Sequence, residues 1–238
     1  MPSAIPRGLL LDLDDTILDD SSTIAECWRQ ACEAHRDQCA GLDSGVLYHV
    51  IRETGEWFWA DAERHRRGRL DLDAARREVV GLALARLGVD KPELAAKIAG
   101  VYGREREAGM QRLPDAIDTV RRLREAGCRL ALLTNGAGAA QRRKIVRFGL
   151  SDLFDAILVE GEVGYGKPDE RIYRLALEAL AVDPQDAWMA GDNLEWDVAA
   201  PQKIGLFAVW IDGTGKGLPP SSGVRPDRIV RTLSELMK

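Results

Sequence analysis

Asp12 and Asp14 stand where a run of three leucines, Leu9 to Leu11, gives out. If an extended strand carries on through Leu13, side-chain alternation puts both acids on the same side, about 6–7 Å apart along the chain. Two carboxylates so placed repel each other unless a cation or a shared proton offsets the charge. Mg²⁺, which prefers carboxylate and carbonyl oxygens, is the natural counter-ion. Other reactive side chains follow short apolar runs in the same way. Thr134, Asn135 and Gly136 close "LLTNG", Lys167 sits in "GYGKPD", and Asp192, Asn193 and Asp197 lie in "GDNLEWD". That inventory suits phosphoryl transfer. An aspartate can attack phosphorus as a covalent nucleophile. A metal and a lysine can neutralise the phosphoryl oxygens, and backbone N–H groups can hold them.

Apolar runs at residues 9–13, 129–134, 156–159, 187–190, 206–211 and 228–230 read as strands. Helical patterns separate them from residue 114 onward. One starts at Pro114 and stops at Gly127. Another places Ile172, Leu175, Ala176, Ala179 and Leu180 on one apolar face. Continuous apolar strands alternating with such helices imply an α/β fold, a doubly wound parallel sheet covered on both faces. Open parallel sheets bind ligands at the carboxyl ends of their strands, so the acids, the threonine and the lysine should share one edge.

Residues from about 20 to 110 interrupt this alternation after its first strand. They show helical periodicity only: Ile24, Cys27, Trp28, Ala31 and Cys32; then Val46, Leu47, Val50 and Ile51; then Leu72, Ala75, Val79 and Ala83; then Leu94, Ile98, Val101 and Tyr102. Four amphipathic helices on short loops predict a small bundle. The expected division is a core of residues 1–19 and 112–238 and a helical insert of residues 20–111.

The ordered set "DLDDT" (12–16), "LLTNG" (132–136), Lys167 in "GYGKPD" and "GDNLEWD" (191–197) resembles the four motifs of the haloacid dehalogenase-like (HAD) superfamily of phosphohydrolases. The resemblance covers residues 6–20 and about 112–235 and implies a Rossmann-like core, with the insert standing where that family carries its C1 cap. It implies Asp12 as the nucleophile that becomes an aspartyl-phosphate, and Asp14 as general acid and then base. Mg²⁺ would bind the Asp12 carboxylate, the Asp14 backbone carbonyl and Asp192. Thr134, with the N–H groups of Asn135 and Gly136, would hold phosphoryl oxygens. Lys167 would hold the nucleophile and the phosphoryl charge, with Asp197 and Asn193 in support. The expected activity is Mg²⁺-dependent hydrolysis of a small phosphorylated metabolite, with the helical insert serving as a lid that keeps out water and protein substrates. The same motifs serve phosphomutases. Dehalogenation of 2-haloacids is a second enzymatic reading, which Asp14 argues against because that chemistry does not need it. A non-catalytic phosphate-binding or signalling protein is a third; a receiver-type domain would be about half this length and lack the insert.

The remaining features exclude more than they add. The 238 residues are 45% hydrophobic and 30% charged, with net charge −5, which argues against a broad nucleic-acid or anionic-membrane footprint. Cys27, Cys32, Cys39 and Cys128 form no CxxC motif and are expected to be reduced thiols of a cytoplasmic protein. No signal peptide or membrane span is expected, and a monomer or homodimer is the expected assembly. His35, His49 and His65 lack ligand spacing. "GAGAAQ" at 136–141 brushes the dinucleotide fingerprint, but Gln141 occupies the position that must be small. Of Trp57, Phe58 and Trp59, two should pack inward and one should be exposed, because adjacent residues on a helix diverge. "ERHRRGR" at 63–69 reads as a solvated charge run, and Asp15, Asp19 and Asp20 as loop or capping acids.

Overall fold

The computed structural model describes residues 5–39 and 41–237. The chain divides into two compact units, Met1–Asp19 with Gln111–Lys238, and Asp20–Met110.

The first unit is built on strands β1 (Gly8–Leu11), β4 (Arg129–Thr134), β5 (Ala156–Val159), β6 (Ala187–Gly191), β7 (Phe207–Ile211) and β8 (Arg228–Val230), in the order β5-β4-β1-β6-β7-β8. Every pairing is parallel. From β1 the chain adds strands on one side, then crosses back to add β6 and its successors on the other. The switch in direction falls at β1, where open α/β sheets gather their ligands. Leu9, Leu10 and Leu11 are all buried, as are Leu130 to Leu133. Successive residues point to opposite faces, so both faces are covered, and that is why these strands read as unbroken apolar runs. Helices α6 (Ala116–Glu125), α7 (Gly138–Arg147), α8 (Glu160–Val163) and α9 (Glu170–Leu180) fall between these strands in the chain, and Leu10, Ala131, Leu133 and Met189 pack on one face against α9. The buried stripe of α9 is Ile172, Tyr173, Ala176, Leu177 and Leu180. This is rotated from the sequence reading: Ala179 is exposed, and Tyr173 and Leu177 take the inner positions. Tyr173 fits inside because its hydroxyl donates to the Trp196 carbonyl. The same unit holds a two-stranded ribbon, β2 (Leu18–Asp19) and β3 (Gln111–Arg112), at the two points where the chain leaves and re-enters.

The second unit is helical: α1 (Ile24–Glu33), α2 (Ser44–Ala60), α3 (Ala62–Leu70), α4 (Leu72–Arg86) and α5 (Pro92–Gly109). Its core holds Trp28, Ala31, Leu47, Ile51, Phe58, Val79, Leu84, Ile98 and Tyr102. Trp28 and Tyr102 stack with centroids 3.6 Å apart. Phe58 is buried and Trp57 exposed, with Arg64 over the Trp57 ring at 3.7 Å. Val46, expected on an inner face, is exposed.

Four helices were expected, and the described residues form five. The additional one, α3, is the charge run. "AERHRRGRL" buries only Gly68, so it has no apolar stripe to detect. Its bounds are set instead by side-chain caps. Asp61 accepts from the Arg64 N–H at 2.8 Å, and Asp71 accepts from the Ala74 N–H at 3.0 Å to start α4. Two aspartates ten residues apart were the available signal.

Candidate active site

The site lies wholly within the first unit, at the carboxyl ends of β1, β4, β5 and β6. Asp12 follows β1 directly, and its N–H still donates to Ala190 of β6 at 3.1 Å. The strand then stops. Asp15 adopts the left-handed conformation, φ 58°, and a tight turn forms in which the Asp15 N–H donates to the Leu18 carbonyl and the Ile17 N–H to the Leu13 carbonyl. The premise that Asp12 and Asp14 lie on one extended strand therefore does not hold, because β1 ends at Leu11. Their carboxylates go to different partners.

Asp12 meets Lys167. The ammonium Nζ is 2.6 Å from Asp12 Oδ1 and 2.6 Å from Asp197 Oδ1, and the lysine is 1% exposed. A buried ammonium needs such partners. The backbone of Lys167 is held by the Asn135 side chain, whose Oδ1 accepts from the Lys167 N–H at 2.8 Å while its Nδ2 donates to the Lys167 carbonyl at 2.7 Å. Asn135 thus acts here through its amide side chain. Gly166 permits this approach: a Cβ there would run into Asn135 Oδ1 and the Glu160 side chain. The Lys167–Pro168 peptide bond is cis.

Asp197 arrives from a wide helical turn, Leu194–Ala199, with i→i+5 bonding. Asn193 caps that turn, its Oδ1 accepting from the Glu195 and Trp196 N–H groups at 3.0 Å each. Asp197 Oδ2 accepts from the Asn193 N–H at 3.0 Å. Both carboxylate oxygens of Asp197 are therefore engaged. Gly191, the last residue of β6, lies against Asp197 so closely that a Cβ would overlap its carboxyl group. Asp192 follows, and its carbonyl accepts from Trp210 Nε1 at 2.7 Å.

Among the described residues, carboxylate oxygens of Asp12, Asp192 and Asp197 lie within 4.8 Å of one another. Burial pushes the Asp12 carboxyl up to about 6, partly offset by Lys167 and reinforced by Asp197. Burial, then the charges of Asp12, Asp197 and Asp15, push Asp192 up to about 8. Burial alone would lower the Lys167 ammonium, but the two carboxylates more than offset it and the net shift is upward. Negative charge here exceeds what one ammonium neutralises. An all-oxygen donor set with surplus negative charge fits a hard divalent cation. Asp12, through the oxygen not bonded to Lys167, and Asp192 could hold such a cation, whereas both oxygens of Asp197 already accept hydrogen bonds.

Asp14 is drawn toward helix α7 (Gly138–Arg147). Lys144 Nζ donates to its two oxygens at 2.8 and 2.9 Å, and Gln141 Nε2 donates to Oδ2 at 3.0 Å. The same Gln141 nitrogen donates to Thr134 Oγ1. The Gly136 N–H donates to Glu160 Oε2 at 3.0 Å, so that amide already has an anionic partner. The sequence alone does not mark Lys144, Glu160 or Trp210 as site residues, and it shows Gln141 only as the bulky residue that breaks the dinucleotide pattern. Gln141 and Lys144 are spaced i, i+3 on α7, hence on one face, and an amide and an ammonium on a helix directly after a strand-end glycine were the signal that could have exposed them.

Residues 6–205 match the family model described as haloacid dehalogenase-like hydrolase. The chain is 36% identical to the phosphoserine phosphatase of Thermus thermophilus over 96% of each chain. It is 29% identical to the glyceraldehyde 3-phosphate phosphatase of Methanopyrus kandleri, across 86% of this chain and 83% of that one. Among solved structures, the HAD-hydrolase YfnB of Bacillus subtilis, bound to magnesium, matches with a TM-score of 0.74 at 25% identity, over 98% of this chain and 97% of the other. Strand order, strand-end chemistry and these likenesses agree: the chain belongs to the haloacid dehalogenase-like hydrolases and is a phosphohydrolase of that superfamily.

Proposed function

We propose that this protein is a Mg²⁺-dependent phosphatase that hydrolyses a small phosphorylated metabolite through an aspartyl-phosphate on Asp12. The observation that carries the reading is the buried Lys167 ammonium, 2.6 Å from both Asp12 and Asp197, beside the Asp192 carboxylate. Asp12 Oδ1 is fixed by that ammonium, so the carboxylate is oriented before substrate arrives, which lowers the entropy cost of attack. Bound between Asp12, Asp192 and the Asp14 backbone carbonyl, Mg²⁺ would supply charge neutralisation for the nucleophile and the phosphoryl oxygens. Thr134 Oγ1 and the Asn135 N–H stand at the end of β4 for the phosphoryl oxygens, and Lys167 offsets charge on the group being transferred. Asp14 must enter the cycle protonated: it gives that proton to the leaving oxygen, and the carboxylate so formed takes one from the water that attacks phosphorus. Asp197 keeps Lys167 in place, and Asn193 keeps Asp197 in place. Relatives named for phosphoserine and glyceraldehyde 3-phosphate point to short phosphorylated carbon chains as substrates.

The test is phosphate release from an aryl phosphate and from a panel of three-carbon phosphates, with and without Mg²⁺, alongside chloride release from a 2-haloacid. The reading requires metal-dependent phosphate release that Asp12→Asn abolishes in a folded protein. Chloride release without phosphate release would replace it with the dehalogenase reading.

A further inference from the structure

The contacts of α7 extend the site beyond the strand-end residues. Gln141 is 3% exposed, and its side-chain nitrogen carries two N–H bonds. One is directed to Thr134 Oγ1 and the other to Asp14 Oδ2, at 3.0 Å. The orientation of the amide is fixed by its surroundings, because turning it round would aim Oε1 at the Asp14 carboxylate. Thr134 Oγ1 accepts in this arrangement, so its own O–H proton is left to donate elsewhere. A hydroxyl that must hold a phosphoryl oxygen has to be a donor. Lys144, one turn further along α7, pairs with both Asp14 oxygens.

We propose that Gln141 is a positioning residue of the phosphoryl-transfer site: it fixes the Thr134 hydroxyl as a donor to the phosphoryl group and, with Lys144, tethers the Asp14 carboxylate to α7. This rests on the phosphatase reading of the site. A buried glutamine serving packing alone would have no reason to join the phosphoryl-binding hydroxyl to the acid–base carboxylate through a single nitrogen. The assignment gives α7 a part in both halves of the reaction. Its Thr134 link acts on phosphoryl binding, and its Asp14 link acts on the orientation of the acid–base carboxylate.

The two links have separate readouts. Inhibition by inorganic phosphate reports on Thr134, and the ratio of turnover on an alkyl phosphate to that on an aryl phosphate reports on Asp14, because only the poorer leaving group depends strongly on a donated proton. In Gln141→Met the inhibition constant for inorganic phosphate is expected to rise about tenfold. In a Thr134→Val background the same change should add nothing further. Lys144→Met is expected to lower turnover on the alkyl phosphate about tenfold more than on the aryl phosphate, and Lys144→Arg to restore most of the ratio. Lys144 is partly exposed, so this arm stands even if Gln141→Met fails to fold. An unchanged phosphate inhibition constant in folded Gln141→Met would overturn the proposal. So would equal losses added in both backgrounds, or a uniform loss on both substrates in Lys144→Met. A wild-type protein that releases no phosphate, or an Asp12→Asn variant that still does, is a different failure and strikes the phosphatase reading itself.

Discussion

Lys167 Nζ and Asp197 Oδ1 are 2.6 Å apart in a part of the first unit where the lysine is 1% and the aspartate 0% exposed. The pair has no water to fall back on. Removing the lysine leaves the aspartate as an uncompensated buried charge, which costs about 3–5 kcal/mol in comparable pairs. Lys167→Met is therefore expected to lower unfolding stability by an amount of that order, because Asp12 and Asp197 lose the same partner. Denaturant unfolding with and without the substitution measures it. Asp197→Asn keeps the shape and one acceptor, so its effect on stability should be smaller while kcat falls by about 10- to 100-fold, as for other groups that orient a reacting residue.

Metal-free protein should lose stability as pH rises. Asp192 loses its proton near 3.8 in the unfolded chain and at about 8 when folded. Between those values the folded state holds the extra proton, so the contribution is fully present below about pH 4 and is lost as pH climbs through about 8. Thermal unfolding between pH 5 and 8 without metal should show a falling Tm, and Asp192→Asn should flatten the slope. Adding Mg²⁺ should raise Tm more at pH 8 than at pH 5, because the ionised carboxylate binds the cation. A metal effect that does not depend on pH would contradict the placement of the cation beside Asp192.

Two glycines are structural conditions of the site. A Cβ on Gly191 would overlap the Asp197 carboxyl group, and one on Gly166 would overlap Asn135 Oδ1. Gly191→Ala should therefore push Asp197 away from Lys167, at a cost of about 1–3 kcal/mol for overpacking. Activity should fall further than that loss of stability explains, which kinetics below the unfolding temperature will reveal. Gly127→Ala is the control. Its φ of 85° makes it strained, but nothing lies within 4 Å of the added atom, so it should cost stability without the extra loss of activity.

All four cysteines are free and buried. Burial pushes the Cys32 and Cys128 thiols up to about 12, where the reactive thiolate is scarce at neutral pH. Alkylation of the native protein by iodoacetamide at pH 7 should leave both unmodified by mass spectrometry, and turnover should survive the treatment. Rapid labelling of either would mean that local opening exposes it.

Much of the core was legible because its central strands, β1 and β4, are buried on both faces and so read as unbroken apolar runs. Residues 129–134, 156–159 and 228–230 are strands over the same spans that their apolar runs suggest. The strand-end residues Asp12, Thr134, Lys167, Asp192 and Asp197 share one edge because parallel strands all end on the same side. Local conformation was harder to read. No apolar pattern announced α3, which is set by its Asp61 cap rather than by a buried stripe. β1 ends at Leu11, and the tight turn that follows, with Asp15 left-handed, carries Asp14 toward α7 instead of alongside Asp12. Gln141, Lys144 and Glu160 look like ordinary helix-surface residues until the strand ends and helices are assembled, because their partners lie 7 to 130 residues away in sequence.

The central claim is that Asp12 itself takes the phosphoryl group. An acyl phosphate, unlike a carboxylate, is reduced by borohydride, which would convert residue 12 to homoserine. Rapid mixing of the Mg²⁺-loaded protein with an aryl phosphate, then acid quench, reduction and peptide mass spectrometry, reads this directly. The account predicts homoserine at position 12, and only when substrate is present. Homoserine at another aspartate, or an intact Asp12 in protein frozen during steady turnover, would contradict it.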